Sequence, residues 1–202
     1  GALLLTACGW WREVGFTRPS RWRNLHLAAI PLVAVLALLP GVSEVPAAKF
    51  IPYALLALLM AVQREVWFRG ILFRVLVPAC GARRAVTLSA LLFGLAQGID
   101  FLGGAAPGVT LVKALAAALF GYVLGALRLR TRTLWPGVAV AAIFYASTFL
   151  AWLQASGELM PPSSDRMGLL AVLGVAVFLC ARYWMRRADE HLEAEAEPAQ
   201  AG

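Results

Sequence analysis

Seven apolar runs dominate this chain, and the short connections between them are alternately rich in arginine and nearly free of it. The runs are Gly1–Trp11, Leu25–Leu39, Phe50–Val77, Val86–Phe101, Leu111–Leu127, Trp135–Leu153 and Gly168–Trp184. A helix needs about 20 apolar residues to cross a hydrocarbon core of ~30 Å. No run shows the period-2 alternation of a barrel strand, so helices are the expected element. Composition points the same way. Of the 202 residues, 61% are hydrophobic and 14% charged, against about a quarter charged in a soluble domain. That balance excludes a soluble globular domain and a disordered chain. It also removes nucleic acid as the meaning of the net charge of +7, because basic excess in a membrane protein reports orientation.

Arg12, Arg18, Arg21 and Arg23 precede the second run, and Arg74, Arg83 and Arg84 close or follow the third. Arg128, Arg130 and Arg132 follow the fifth, and Arg182, Arg186 and Arg187 close the last. The intervening loops hold little charge, which is the positive-inside pattern in one register. Trp10, Trp11, Trp22, Trp135 and Trp184 sit on the arginine side and Trp152 on the other, as interfacial anchors do. The expected fold is all-α: a polytopic membrane helical bundle of about seven transmembrane helices, the first truncated. It spans residues 1–187. Residues 188–202, acidic through Asp189, Glu190, Glu193, Glu195 and Glu197, are expected to form a disordered cytoplasmic tail. The expected location is the cytoplasmic (inner) membrane of a bacterium, multi-pass, with the C-terminus in the cytoplasm.

Arg64, Glu65 and Arg69 lie inside the third run. A charge at membrane depth costs several kcal/mol unless it is paired or hydrated. Glu65 and Arg69 are four residues apart and share a helix face, so an ion pair is expected. Arg64 points roughly 100° away from Glu65 and calls for water, a carbonyl or headgroups. This run is also long, and a bend or an exit from the membrane is expected near Gly70. Gly121 and Gly125 form a small-residue pair suited to close packing within the bundle.

The segment Gln63-Arg64-Glu65-Val66-Trp67-Phe68-Arg69-Gly70 resembles the first motif of the CPBP family, the CAAX-protease and bacteriocin-processing intramembrane endopeptidases also called Abi proteins. That motif reads Glu-Glu-x-x-x-Arg, with Phe before the Arg and Gly after it. Phe93-Gly94-Leu95-Ala96-Gln97 resembles the second motif, Phe-x-x-x-His. Trp135-Pro136-Gly137 through Tyr145 resembles the region of the third, His-x-x-x-Asn or His-x-x-x-Asp. Trp22-Arg23 before a run containing Pro31 is also typical of the family. In the family the first Glu and the motif-two His activate a water, and the motif-three His and Asn help to stabilise the oxyanion.

On this alignment the first Glu is Arg64, the motif-two His is Gln97, the motif-three His is Ala141 and the Asn or Asp is Tyr145. Peptide hydrolysis needs a base near neutral pH and donors aimed at developing charge. Arg64 is permanently protonated, Ala141 offers no polar atom, and Gln97 cannot shuttle a proton. Glu65 and Arg69 remain as a structural ion pair. The resemblance therefore implies a pseudoprotease that binds a membrane protein or hydrophobic peptide as scaffold, immunity factor or complex subunit. The alternative is an active endopeptidase that cuts prenylated or hydrophobic peptides with Glu65 as its catalytic residue, although a carboxylate held in an ion pair is a poor base. A small transporter or channel is a third possibility, because intramembrane charges also mark substrate paths.

No cofactor or metal is expected. His26 lies beside a basic connection and His191 in the tail, neither well placed within the core, and Cys8, Cys80 and Cys180 are far apart, inside or beside apolar runs. No HExxH or CxxC pattern occurs. Asp100 is three residues past Gln97 and reads as an interfacial loop residue.

Overall fold

The structure, a computed structural model, describes residues 6–7, 9–17, 27–36, 47–154 and 174–186. Every regular element in these residues is helical. In chain order they are a short turn of helix α1 (Trp11–Val14), α2 (Ala29–Leu36) and α3 (Ala47–Glu65). A π-helical segment (Val66–Ile71) joins α3 to α4 (Leu72–Cys80). Then come α5 (Ala82–Leu95), a 3₁₀ turn (Ala96–Gly98) and α6 (Ile99–Leu102), followed by α7 (Pro107–Thr131) and α8 (Trp135–Gln154). A last helix, α9, covers 174–186. Cys8, Arg18 to His26, Asp165, His191 and the acidic tail lie outside the described residues, as do the side chains of Asp100 and Trp152.

Local sequence explains the breaks. Gly81 stands between α4 and α5 at φ +81°, a conformation open to glycine. Pro107 opens α7, where its missing N–H costs nothing. Arg132 ends α7 in the left-handed region at φ +56°. At Gly70 the helix does not stop. It continues through the π-helical segment into α4, because the wider turn absorbs one extra residue instead of breaking the ladder.

Two helices, 48–80 and 107–131, are long and apolar enough to cross a membrane, and a shorter apolar helix covers Trp135–Leu150. A core helix of a soluble protein passes the same test but would be mostly buried. Here only 22% and 33% of the two apolar windows are buried. Ile51, Leu55, Leu59, Leu111, Val112 and Leu115 point outward. An apolar surface this continuous belongs against lipid rather than water.

Inside, α3 packs along α8 and α5 along α7. One buried cluster gathers Val14, Ala57, Ala61, Val66, Leu124, Val138, Ala141 and Tyr145. A second gathers Phe73, Val86, Val123, Leu127, Ala181 and Trp184. Gly121 and Gly125 both pack inside the chain, the first against Phe93 and Ala90 and the second against Val86 and Phe73. One tryptophan departs from the anchoring expected of it: Trp184 is buried in the second cluster, where its ring turns toward neighbouring helices. Trp10 is partly buried against the first cluster, and the guanidinium carbon of Arg74 lies 4.3 Å from its ring centre. Trp11 and Trp135 remain exposed.

Helix α1 is tied to the far end of the α7–α8 turn. Arg128 Nη2 donates to Val14 O (3.0 Å), Leu134 N to Gly15 O (3.1 Å) and Thr133 Oγ1 to Thr17 O (2.9 Å). Val14 is fully buried and meets Gly70 so closely that a β-carbon there would collide with it.

Candidate functional site

Glu65 closes α3, and Arg69 lies in the π-helical segment. Their side chains are 1% and 0% exposed, and Arg69 Nη1 stands 3.2 Å from Glu65 Oε1. Arg69 also donates from Nη2 to Gly121 O at 2.9 Å, which ties the pair to α7. Its guanidinium carbon lies 4.6 Å from the Phe93 ring centre, within reach of the ring quadrupole. The pair is thus held by three elements rather than by one helix.

Gly137 forms the other wall. A β-carbon at this position would stand 2.7 Å from Glu65 Oε2. Only a glycine lets α8 approach the carboxylate so closely. Glu65 Oε2 itself has no hydrogen-bond partner among the described residues, and neither have Nε and Nη1 of Arg69.

The wider helical turn after Glu65 has a local consequence. Ser89 Oγ, on α5, donates to Phe68 O at 2.9 Å. Carbonyls loosened at a π-helical turn need such partners. Ser89→Ala should destabilise the fold by about 1 kcal/mol, the usual net worth of one buried hydrogen bond. Unfolding titration in detergent checks this.

Arg64 is half-buried, one position before Glu65. The sequence suggested water, a carbonyl or headgroups for it. Its actual partner is on another helix: Nη1 donates to the Tyr145 hydroxyl at 3.2 Å. Its guanidinium carbon lies 5.1 Å from the Tyr145 ring centre and 5.6 Å from that of Phe93. The two rings cradle its buried side where α3 and α8 pack along each other. Among the described residues no carboxylate pairs with Arg64; Glu65 pairs with Arg69.

The aligned motif positions are therefore brought together unequally. Arg64 and Tyr145 touch. Ala141 is buried in the first cluster, one helical turn from Tyr145. Gln97 is half-exposed in the 3₁₀ turn, four residues after Phe93. Among the described residues, no group of three or more His, Cys, Asp or Glu side chains converges as a metal site would require. The sequence reading missed Gly137, Ser89, the Gly121 carbonyl and the Phe93 ring. Phe93 carried a signal as the aromatic residue of the second motif, Gly137 as part of the third-motif region and Gly121 as a close-packing glycine, but none pointed to its contact with this pair.

A family model described as type II CAAX prenyl endopeptidase Rce1-like matches residues 46–147, half of the chain. No curated protein and no solved structure gives a significant match.

Proposed function

Because the chain belongs to the type II CAAX prenyl endopeptidase Rce1-like family, we propose that it is a member whose helical scaffold persists without peptide hydrolysis and which binds a membrane protein or hydrophobic peptide. The observation that carries this reading is the Arg64–Tyr145 contact. A hydrolytic site needs a proton acceptor facing the reacting water. Arg64 and Tyr145, at the aligned positions of the first Glu and of the Asn or Asp, instead bind each other. Ala141 and Gln97 supply no base. Scaffold, immunity factor and complex subunit are the roles open to such a protein.

The same reading extends to the whole chain. Residues 1–187 form one bundle of about seven transmembrane helices, and 188–202 form a cytoplasmic tail. The exposed Arg74, Arg83, Arg84, Arg132, Arg182 and Arg186 gather at one end of the described helices, with Lys49 and Lys113 at the other. That asymmetry supports an inner-membrane protein with a cytoplasmic C-terminus.

The competing reading, an active peptidase using Glu65, draws on the unpartnered Oε2 oxygen. One assay separates the two. Purified protein is incubated with a prenylated peptide, and the products are read by mass spectrometry. No cleavage above a blank is expected. Turnover that disappears in Glu65→Gln while the protein still folds would establish the peptidase, and turnover lost in Arg64→Ala or Gln97→Ala would equally defeat the non-hydrolytic reading.

A further inference from the structure

We propose that Arg64, Tyr145 and the Phe93 ring form a receptor for a carboxylate carried at the end of an apolar chain. The inference deepens the non-hydrolytic reading and rests on it.

Charge is the first argument. Arg64, Arg69 and Arg128 all reach into the helical bundle, and Glu65 is the one described carboxylate among them. Arg69 already uses that carboxylate. Uncompensated positive charge at membrane depth is costly, so a mobile anion is favoured there. Arg128 spends Nη2 on Val14 O, behind the α1 turn. Arg64, half-buried like Arg128, spends only Nη1, and on a side-chain hydroxyl that has a proton of its own to donate rather than on a main-chain carbonyl.

Donor chemistry is the second. Tyr145 accepts a hydrogen bond from Arg64, which leaves its own O–H proton free to donate. Arg64 retains further N–H groups in the plane of its guanidinium, a fork that matches carboxylate geometry. The two rings hold that plane in place, so little side-chain freedom is lost on binding. Gln97, one turn beyond Phe93, adds an amide at the same end of α5.

Depth is the third, and it selects the body of the ligand. Tyr145 is ten residues into α8 from Trp135, about 15 Å at 1.5 Å per residue. Tyr145 belongs to a buried apolar cluster that also holds Val66, Val138 and Ala141. A free inorganic anion would lose its hydration there without recompense. A carboxylate on an apolar chain brings its own lipophilic part.

Two sources share this chemistry, a fatty acid and the free C-terminus of a hydrophobic peptide. The full chain in detergent or nanodiscs, at about pH 9 so that carboxyls in apolar surroundings are ionised, is titrated with four probes. These are dodecanoate, dodecanol, an apolar hexapeptide acid and its C-terminal amide. Thermal shift and intrinsic fluorescence are the readouts. At least one acid should bind about tenfold or more tighter than its neutral partner, and which acid does so identifies the source. Arg64→Gln should abolish the preference and Tyr145→Phe should reduce it a few-fold. If Arg64→Gln fails to fold, the Tyr145→Phe result decides. Equal binding of acid and neutral probe, no binding of any probe, or a preference intact in the variants overturns the receptor. The peptide samples are then read for cleavage. Cleavage overturns the non-hydrolytic reading instead, so the two failures are distinguishable.

Discussion

Arg69→Ala is expected to cost about 3–5 kcal/mol of folding stability, the penalty of leaving a buried charge without its partner. Glu65 would remain 1% exposed, facing the glycine wall at 137 with nothing to neutralise it. Gly121 O would lose its donor as well. Denaturant titration of the detergent-solubilised protein measures the loss. The double variant Glu65→Gln/Arg69→Met removes both charges at similar volume and should recover most of it, since uncharged replacement of a whole buried pair is often close to neutral. A loss below about 1 kcal/mol in the single variant would mean that water already reaches the pair, which contradicts its burial.

Gly94→Ala is expected to destabilise the α5–α7 contact by about 1–3 kcal/mol, the range for overpacking a filled interior. A β-carbon there would stand 2.6 Å from Ala114 O and 2.8 Å from Ala118 Cβ. The first obstacle is main chain, which cannot swing aside, so the helices must separate. Gly98→Ala is the control. Its β-carbon would meet nothing within 4 Å, and stability there should hold or rise slightly, because alanine restricts the unfolded chain more than glycine does. Equal melting temperatures for the two variants would show that α5 and α7 are not held at this distance.

Much of the architecture is legible in the sequence because lipid imposes a simple rule. Apolar runs of spanning length must be helices, and α3 and α7 are long apolar helices. The first motif with its flanks also carries family membership. Side-chain pairing is legible only at short range. A spacing of four puts Glu65 and Arg69 on one face, but that spacing says nothing of Gly121, 52 residues from Arg69. Arg64 and Tyr145 are 81 residues apart, and no periodicity links them. The π-helical turn has no residue signature in Val66–Ile71; it emerges from packing against Ser89 on α5. Gly137 could be read as the end of a loop, whereas its role depends on which side chain faces it. Trp184 shows the limit of reading aromatics by position alone. Proximity to arginine suggests an interface, but the helix face decides.

The segment that seals the arginine end of the bundle is made long before its partners. Val14, Gly15 and Thr17 offer carbonyls to Arg128, Leu134 and Thr133, more than a hundred residues later in translation. Those acceptors must stay hydrated at the membrane surface while α3, α5 and α7 insert. Only when the ribosome has delivered the α7–α8 turn can the segment that carries Val14, seated on Gly70, complete these hydrogen bonds. The α1 turn is therefore among the last of the described elements to find its partners, and a chain stalled before residue 134 would leave the carbonyls of Gly15 and Thr17 without the donors of Leu134 and Thr133.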